Sequence, residues 1–140
     1  MGDSTCSTNV DPRIRVLLID DDEPTLELTT LLLERRGFYV ITAPDVETAF
    51  RVVLDDAPQV AVTDLEMPGL DGFDFRDAIE LSGATFPVLA VSGAADSRTL
   101  ARARAAGFDA VLAKPCSSDL LAAALYRALG VTAPAEARLD

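Results

Sequence analysis

The chain has no histidine, no tryptophan and only two cysteines. Without histidine there is no Ser-His or Cys-His nucleophile pair and no imidazole-bound zinc or copper site. Nor can the chain carry a phosphohistidine of its own. Any bound metal would have oxygen ligands, which points to a hard cation such as Mg²⁺ or Ca²⁺. Cys6 and Cys116 fit no paired spacing, so neither a disulfide framework nor a Cys-x-x-Cys centre is indicated. Reduced thiols in a cytosolic protein are expected. Basic residues are scarce: 12 Lys and Arg stand against 23 Asp and Glu, a net charge of −11. Such an acidic chain is unsuited to direct contact with nucleic-acid phosphates. No run reaches the roughly 18 apolar residues of a membrane-spanning helix. The first residues, Met1-Gly2-Asp3-Ser4-Thr5-Cys6, lack the apolar core of a signal peptide, and Cys6 stands where a myristoylation pattern needs Ser or Thr.

What is present is a globular balance, 49% apolar and 25% charged, over 140 residues, which is room for one domain with a real core. Residues 1–13 are polar and aperiodic and read as a flexible lead-in, and 131–140 as a frayed tail. Residues 14–130 alternate between strand-like and helix-like segments. The expected strands are Arg15–Ile19, Tyr39–Thr42, Gln59–Thr63, Pro87–Val91 and Ala110–Ala113. The expected helices are Pro24–Arg36, Asp45–Asp55, Phe73–Leu81, Ser97–Ala106 and Ser117–Leu129. The first helix would carry Leu28, Leu31 and Leu32 on one face, and the second would turn Val46, Ala49, Phe50 and Val53 inward. Pro24, Gly37, Ser117 and Gly130 sit where helix ends want them. Short strands nearly continuous in apolar residues belong to a parallel sheet covered on both faces. Five β-α repeats therefore predict a doubly wound α/β sandwich.

Four of the apolar runs end in a polar residue suited to phosphate chemistry. Val16–Ile19 ends in Asp20-Asp21, Val60–Thr63 in Asp64, Val88–Val91 in Ser92, and Val111–Ala113 in Lys114-Pro115. Ligands bind at the carboxyl ends of the strands in open α/β sheets. Three carboxylates gathered there repel one another unless a cation lies between them. Mg²⁺ accepts a few carboxylates together with waters and a phosphate. Asp64 is the candidate nucleophile, able to form an aspartyl phosphate. Lys114 can contact the added phosphate as a point charge and Ser92 can donate a hydroxyl hydrogen bond to it. Read alone, the run Asp20–Glu23 could equally be an acidic helix start. Ser92 and Lys114 could be ordinary loop residues. Together they form a constellation.

The pieces Leu18-Ile19-Asp20-Asp21-Asp22-Glu23-Pro24, Asp64-Leu65-Glu66-Met67-Pro68-Gly69-Leu70-Asp71-Gly72, Val91-Ser92-Gly93 and Lys114-Pro115 resemble the receiver domains of two-component response regulators, in that family's order and near its spacings. The resemblance covers about residues 13–130. It implies a CheY-like, flavodoxin-like sheet of strand order 2-1-3-4-5. It also implies Asp64 as phosphoacceptor, Ser92 as switch hydroxyl and Lys114 as phosphate contact. The metal would be Mg²⁺, held by Asp20, Asp21, Asp64 and the backbone carbonyl of Glu66. Counting back from Gly37 favours Asp20 and Asp21 over Asp22 as the acidic pair. Glu66 and Ala94 would flank the path of a hydrolytic water. Implied partners are a sensor histidine kinase or histidine phosphotransfer protein, and an unknown downstream protein meeting the 97–129 face, where Arg98, Arg102 and Arg104 stand out. A stand-alone module is expected, located in the cytoplasm.

Two departures from the family pattern matter. Val111 occupies a position often aromatic, so the usual inward-swinging ring has no counterpart. Cys116, in place of a frequent phenylalanine, is small, and a looser start to the last helix is expected. Two rivals remain: an aspartate-nucleophile phosphatase with Glu66 as acid, and a receiver-like module that accepts no phosphate and only binds partners.

Overall fold

A computed structural model describes residues 12–94 and 96–133. Most of the expected lead-in and tail, and Cys6, lie outside the described residues. The elements run β1 (Arg15–Ile19), α1 (Glu23–Arg35), β2 (Tyr39–Ala43), α2 (Val46–Asp56), β3 (Val60–Asp64), α3 (Gly72–Ser82), β4 (Val88–Ser92), α4 (Ser97–Ala106), β5 (Ala110–Ala113) and α5 (Ser118–Leu129). Every expected element is present, with no end differing by more than one residue. The differences at helix starts have a common cause. Asp45, Asp71 and Ser117 stand just before their helices as caps, accepting from the backbone N–H groups of Thr48, Asp74 and Leu120. Asp71 and Asp74 complete a reciprocal capping box. The backbone N–H of Thr48 holds the Asp45 carboxyl below the usual carboxylate range.

All five strands are parallel in the order β2-β1-β3-β4-β5. The period-2 alternation of the strands sorts their side chains onto two faces. Val16, Leu18, Val60, Val62 and Leu89 pack with α1 and α5 through Leu26, Leu33, Leu121 and Leu125. Leu17, Ile19, Ala61, Val88 and Ala90 pack with α2, α3 and α4 through Ala49, Phe75, Ile79 and Ala103. The chain winds one way from β1 to β2 and the other way from β3 to β4. Their neighbouring carboxyl ends therefore part into a crevice. Ile19 is in register with both Ala43 and Thr63, and Asp64 with Val91, so the tips of the three central strands are level.

The leucine face of α1 is not its core side. Leu26 and Leu33 are buried there, whereas Leu28 is 58% and Leu31 49% exposed and Leu32 only half-buried. At 100° per residue, Leu26 and Leu33 fall on one line, with Thr29 and Thr30 beside them, and Leu28, Leu31 and Leu32 lie on the other side of the cylinder. The core side of α1 is partly threonine, which hid it behind the more conspicuous leucine stripe. In α2, Val46 and Ala49 are buried while Phe50 and Val53 pack at the edge of the same core.

The last helix is not loosely started. Cys116 packs against the α1/α5 side of the core, Ser117 caps, and the guanidinium of Arg36 pairs with Asp119 in the first turn. Phe38 stacks on Tyr126 with ring centres 5.2 Å apart, tying the end of α1 to α5 a second time.

Candidate functional site

The backbone beyond β1 is fixed first. Asp20 donates its N–H to the Ala43 carbonyl at 3.2 Å, which holds it on the sheet, and the residue is only 5% exposed. One carboxylate oxygen of Asp20 accepts the N–H of Asp22 at 3.0 Å. Asp22 turns away to cap α1, accepting from Thr25 N–H at 3.2 Å. Asp21 is exposed beside the crevice. The acidic run is thus divided by geometry: Asp22 serves the helix, and Asp20 and Asp21 serve the strand end.

Asp64 closes β3 and is 6% exposed. Its Oδ1 accepts the N–H of Glu66 at 3.2 Å, and its Oδ2 accepts from Lys114 Nζ at 2.8 Å. The next turn is pinned by Leu65 N–H on the Val91 carbonyl and by Gly72 N–H on the Leu65 carbonyl. Gly72 is a forced residue: a Cβ there would lie 2.5 Å from the Asp64 carbonyl oxygen. One carboxylate oxygen each from Asp20, Asp21 and Asp64 falls within 4.8 Å of the others. Such an all-oxygen, all-anionic group suits a hard divalent cation.

Lys114 reaches this cluster from the end of β5. Its backbone N–H is held by the Ser92 carbonyl at 2.9 Å, and the peptide to Pro115 is cis. Its ammonium lies 2.8 Å from Asp64 and 3.4 Å from Asp20. Burial pulls its pKa down, but the hydrogen bond it donates to Asp64 and the charges of both aspartates outweigh that and hold the ammonium above its ordinary value. It stays charged.

Ser92 ends β4 and has no exposed surface. Its Oγ donates to Glu66 Oε2 at 2.5 Å and accepts the N–H of Ala94 at 3.0 Å. The other oxygen of Glu66 accepts Gly93 N–H at 3.3 Å. The sequence pointed to a backbone carbonyl at Glu66 and to a flank of a water path. It did not reveal that this carboxylate grips the hydroxyl across the crevice. The available signal was an acidic side chain two residues past the acceptor, facing a hydroxyl one strand away.

Two depressions border the cluster. A cleft of about 630 Å³ lies between the loop after β3 and α4, with Glu66, Phe73, Arg98 and Arg102 on its walls. The Arg102 guanidinium sits 3.8 Å from the centre of the Phe73 ring. Arg102 is therefore engaged with α3 rather than simply solvated. On the other side a groove of about 420 Å³ runs from Asp20, Asp64 and Lys114 along Leu28, Leu32 and Cys116. Val111 lies half-buried against the α2/α3/α4 side of the core.

The sequence of residues 16–126 matches the response regulator receiver domain family. The transcriptional regulatory protein CseB of Streptomyces coelicolor is 35% identical over 114 residues, which is 81% of this chain and 48% of that protein. The sensor histidine kinase RcsC of Salmonella typhimurium is 30% identical over 119 residues, 85% of this chain and 12% of that protein. The chain thus spans about half or less of these curated relatives. A solved response regulator receiver domain protein from Clostridium thermocellum superposes with a TM-score of 0.78 at 28% identity, covering 84% of this chain and 94% of that one. Among the described residues, no helix is long and apolar enough to cross a membrane. With strand order, acidic cluster and family match in agreement, the chain belongs to the response regulator receiver domain family of two-component signalling.

Proposed function

We propose that Asp64 accepts a phosphoryl group from a phosphohistidine of a sensor histidine kinase or a histidine phosphotransfer protein. The observation that carries this reading is the Lys114 ammonium bridging Asp64 and Asp20 at adjoining strand ends. A carboxylate oxygen of Asp64 forms the new O–P bond. The donor's P–N bond breaks, its electron pair stays on the imidazole nitrogen, and that nitrogen takes a proton from solvent. Lys114 then follows the phosphoryl oxygens, and Ser92 donates its hydroxyl to one of them. Asp20, Asp21, Asp64 and the Glu66 carbonyl would hold Mg²⁺, which when bound neutralises charge on the transferring group. Since the chain contains no histidine, the donor residue comes from elsewhere. We place the protein in the cytosol, in keeping with its half-buried free thiol at Cys116.

Incubation with Mg²⁺ and acetyl phosphate, read by intact mass, is expected to give one phosphoryl adduct. An unmodified mass where a control receiver labels would refute the reading. The phosphatase alternative is disfavoured by one contact. Its acid would be Glu66, and Glu66 is committed to Ser92 and Gly93.

The exposed leucines of α1 give the donor a place to land. Leu28 and Leu32 continue the crevice as an apolar wall, and Leu31 adds to the exposed side. A helix carrying phosphohistidine, laid along that wall, brings its imidazole to Asp64. The downstream protein would meet the 97–129 face. Leu28→Glu with Leu31→Glu is expected to slow transfer from a phosphorylated histidine protein about tenfold or more, the scale of a lost anchor pair. Labelling by acetyl phosphate, which needs no docking, should be unchanged. Equal slowing with both donors would remove α1 from the donor interface.

A further inference from the structure

We propose that the Glu66 side chain is a latch on the switch: it holds Ser92 in the unphosphorylated arrangement and competes with the phosphoryl group for the same hydrogen. This rests on the phosphoacceptor reading of Asp64.

A serine hydroxyl has one hydrogen to donate. In Ser92 that hydrogen is directed at Glu66 Oε2, 2.5 Å away, within the short range of a charge-assisted bond. The oxygen's acceptor capacity is engaged as well, by Ala94 N–H. Donation to a phosphoryl on Asp64 and donation to Glu66 are therefore mutually exclusive. Glu66 does more than hold the hydroxyl. Its second oxygen takes Gly93 N–H, so one carboxylate spans the last residue of β4 and the first of the following loop. Its own backbone N–H is held by Asp64 Oδ1. The acceptor, the latch and the switch hydroxyl form one hydrogen-bonded chain.

A phosphoryl group on Asp64 brings roughly −1.5 to −2 charges to one end of that chain. It repels the Glu66 carboxylate and offers three stronger acceptor oxygens beside Lys114. The hydroxyl transfers to the phosphoryl, Glu66 lets go of Gly93, and the loop leading to α4 is released. Until then the latch opposes the change, so a ligand at Asp64 binds more weakly by the factor needed to open it. Such a device passes the event from Asp64 to the loop before α4 without an aromatic at position 111. Glu66 is a positioning residue here, acting through Ser92.

The test is a titration with beryllofluoride, a phosphoryl mimic, at saturating Mg²⁺, followed by the amide resonances of Gly93 and Ala94. Glu66→Ala is expected to raise apparent affinity about tenfold, as expected for loss of a competing charge-assisted hydrogen bond. It should also move the free-state Gly93 and Ala94 resonances toward their bound positions. Removing a nearby negative charge would itself help an anion bind, and two further variants separate that effect. Glu66→Gln removes the charge but keeps an acceptor oxygen, and should gain less than Glu66→Ala. In a Ser92→Ala background the latched hydroxyl is gone and only the longer Gly93 N–H bond is left, so Glu66→Ala should gain no more than about threefold, the scale of charge relief. Equal gains with and without the Ser92 hydroxyl, or no gain at all, would overturn the latch while leaving the phosphoacceptor intact. A wild-type protein that takes up neither beryllofluoride nor phosphoryl would overturn both.

Discussion

Asp64→Asn is expected to abolish the phosphoryl adduct formed with acetyl phosphate and, in Mg²⁺-free buffer, to make the protein more stable. The first half follows from chemistry. An amide oxygen is a poor nucleophile toward phosphorus, and among the described residues the other carboxylate paired with Lys114, that of Asp20, lies farther from it at 3.4 Å against 2.8 Å. The second half follows from the charge count at the strand ends. Asp20, Asp21 and Asp64 bring three negative charges within 4.8 Å, and the Lys114 ammonium pairs with Asp20 and Asp64. The side-chain amide of the variant can still accept a hydrogen bond from Lys114, while Lys114 keeps its charge pair with Asp20. One uncompensated charge is removed, a gain of about 1 kcal/mol at the effective dielectric of a partly wetted crevice. For a domain of this size that corresponds to roughly 3–5 °C in Tm. Mg²⁺ should then raise the Tm of the wild type and leave Asp64→Asn nearly unmoved, because the substitution removes one of the cation's ligands. Thermal melts with and without Mg²⁺ measure this directly. A persistent adduct on Asp64→Asn would dismiss Asp64 as the acceptor. A variant less stable than the wild type without Mg²⁺ would dismiss the strain among the carboxylates. The site then illustrates stability given up for function.

Gly72→Ala is expected to destabilise the fold by about 2–4 kcal/mol, at the upper end for an overpacked backbone site. The obstacle is main chain: the added Cβ would meet the Asp64 carbonyl oxygen at 2.5 Å and Leu65 Cα at 3.1 Å. A flexible side chain could step aside, but these atoms are held by the Leu65–Val91 hydrogen bond and the buried end of β3. The start of α3 must move outward, and it takes with it the loop that carries Glu66. Urea unfolding reads the loss, and acetyl phosphate labelling of the folded fraction should slow as well. A midpoint indistinguishable from the wild type would mean that α3 can retreat freely and that its contact with β3 does not position the site.

The sequence made the scaffold plain because strand patterning and helix caps are local signals. Val16–Ile19 and Val60–Thr63 are too continuously apolar for anything but a doubly covered sheet. Ser117 and Gly130 bracket α5 as side chains and backbone require. Legibility failed where the deciding partner is distant in sequence. The stripe of Leu28, Leu31 and Leu32 on α1 does not tell by itself which side meets the sheet, and Leu26 and Leu33 took the sheet and left Leu28 and Leu31 outside. The side chain of Glu66 is bound 26 residues away, by a hydroxyl whose position depends on the β3–β4 register. Nothing within a few residues of Glu66 announces that contact. Asp22 is the reverse case: its cap on α1 is local, and it settles which acidic neighbours are left to face Asp64.

The stacking of Arg102 on Phe73 has a mechanical consequence. A directed hydrogen bond between α3 and α4 would fix their registration and break on displacement. A cation over a ring face is attracted across the whole face and loses little when it slips sideways. The seam between these helices is therefore free to slip at Arg102 and bolted at the far end of α4, where Arg76 Nε donates to the Gly107 carbonyl at 3.1 Å. The leading end of α4 can swing along its neighbour about that fixed end while the two stay in contact, and the domain can change its outline there without opening its core.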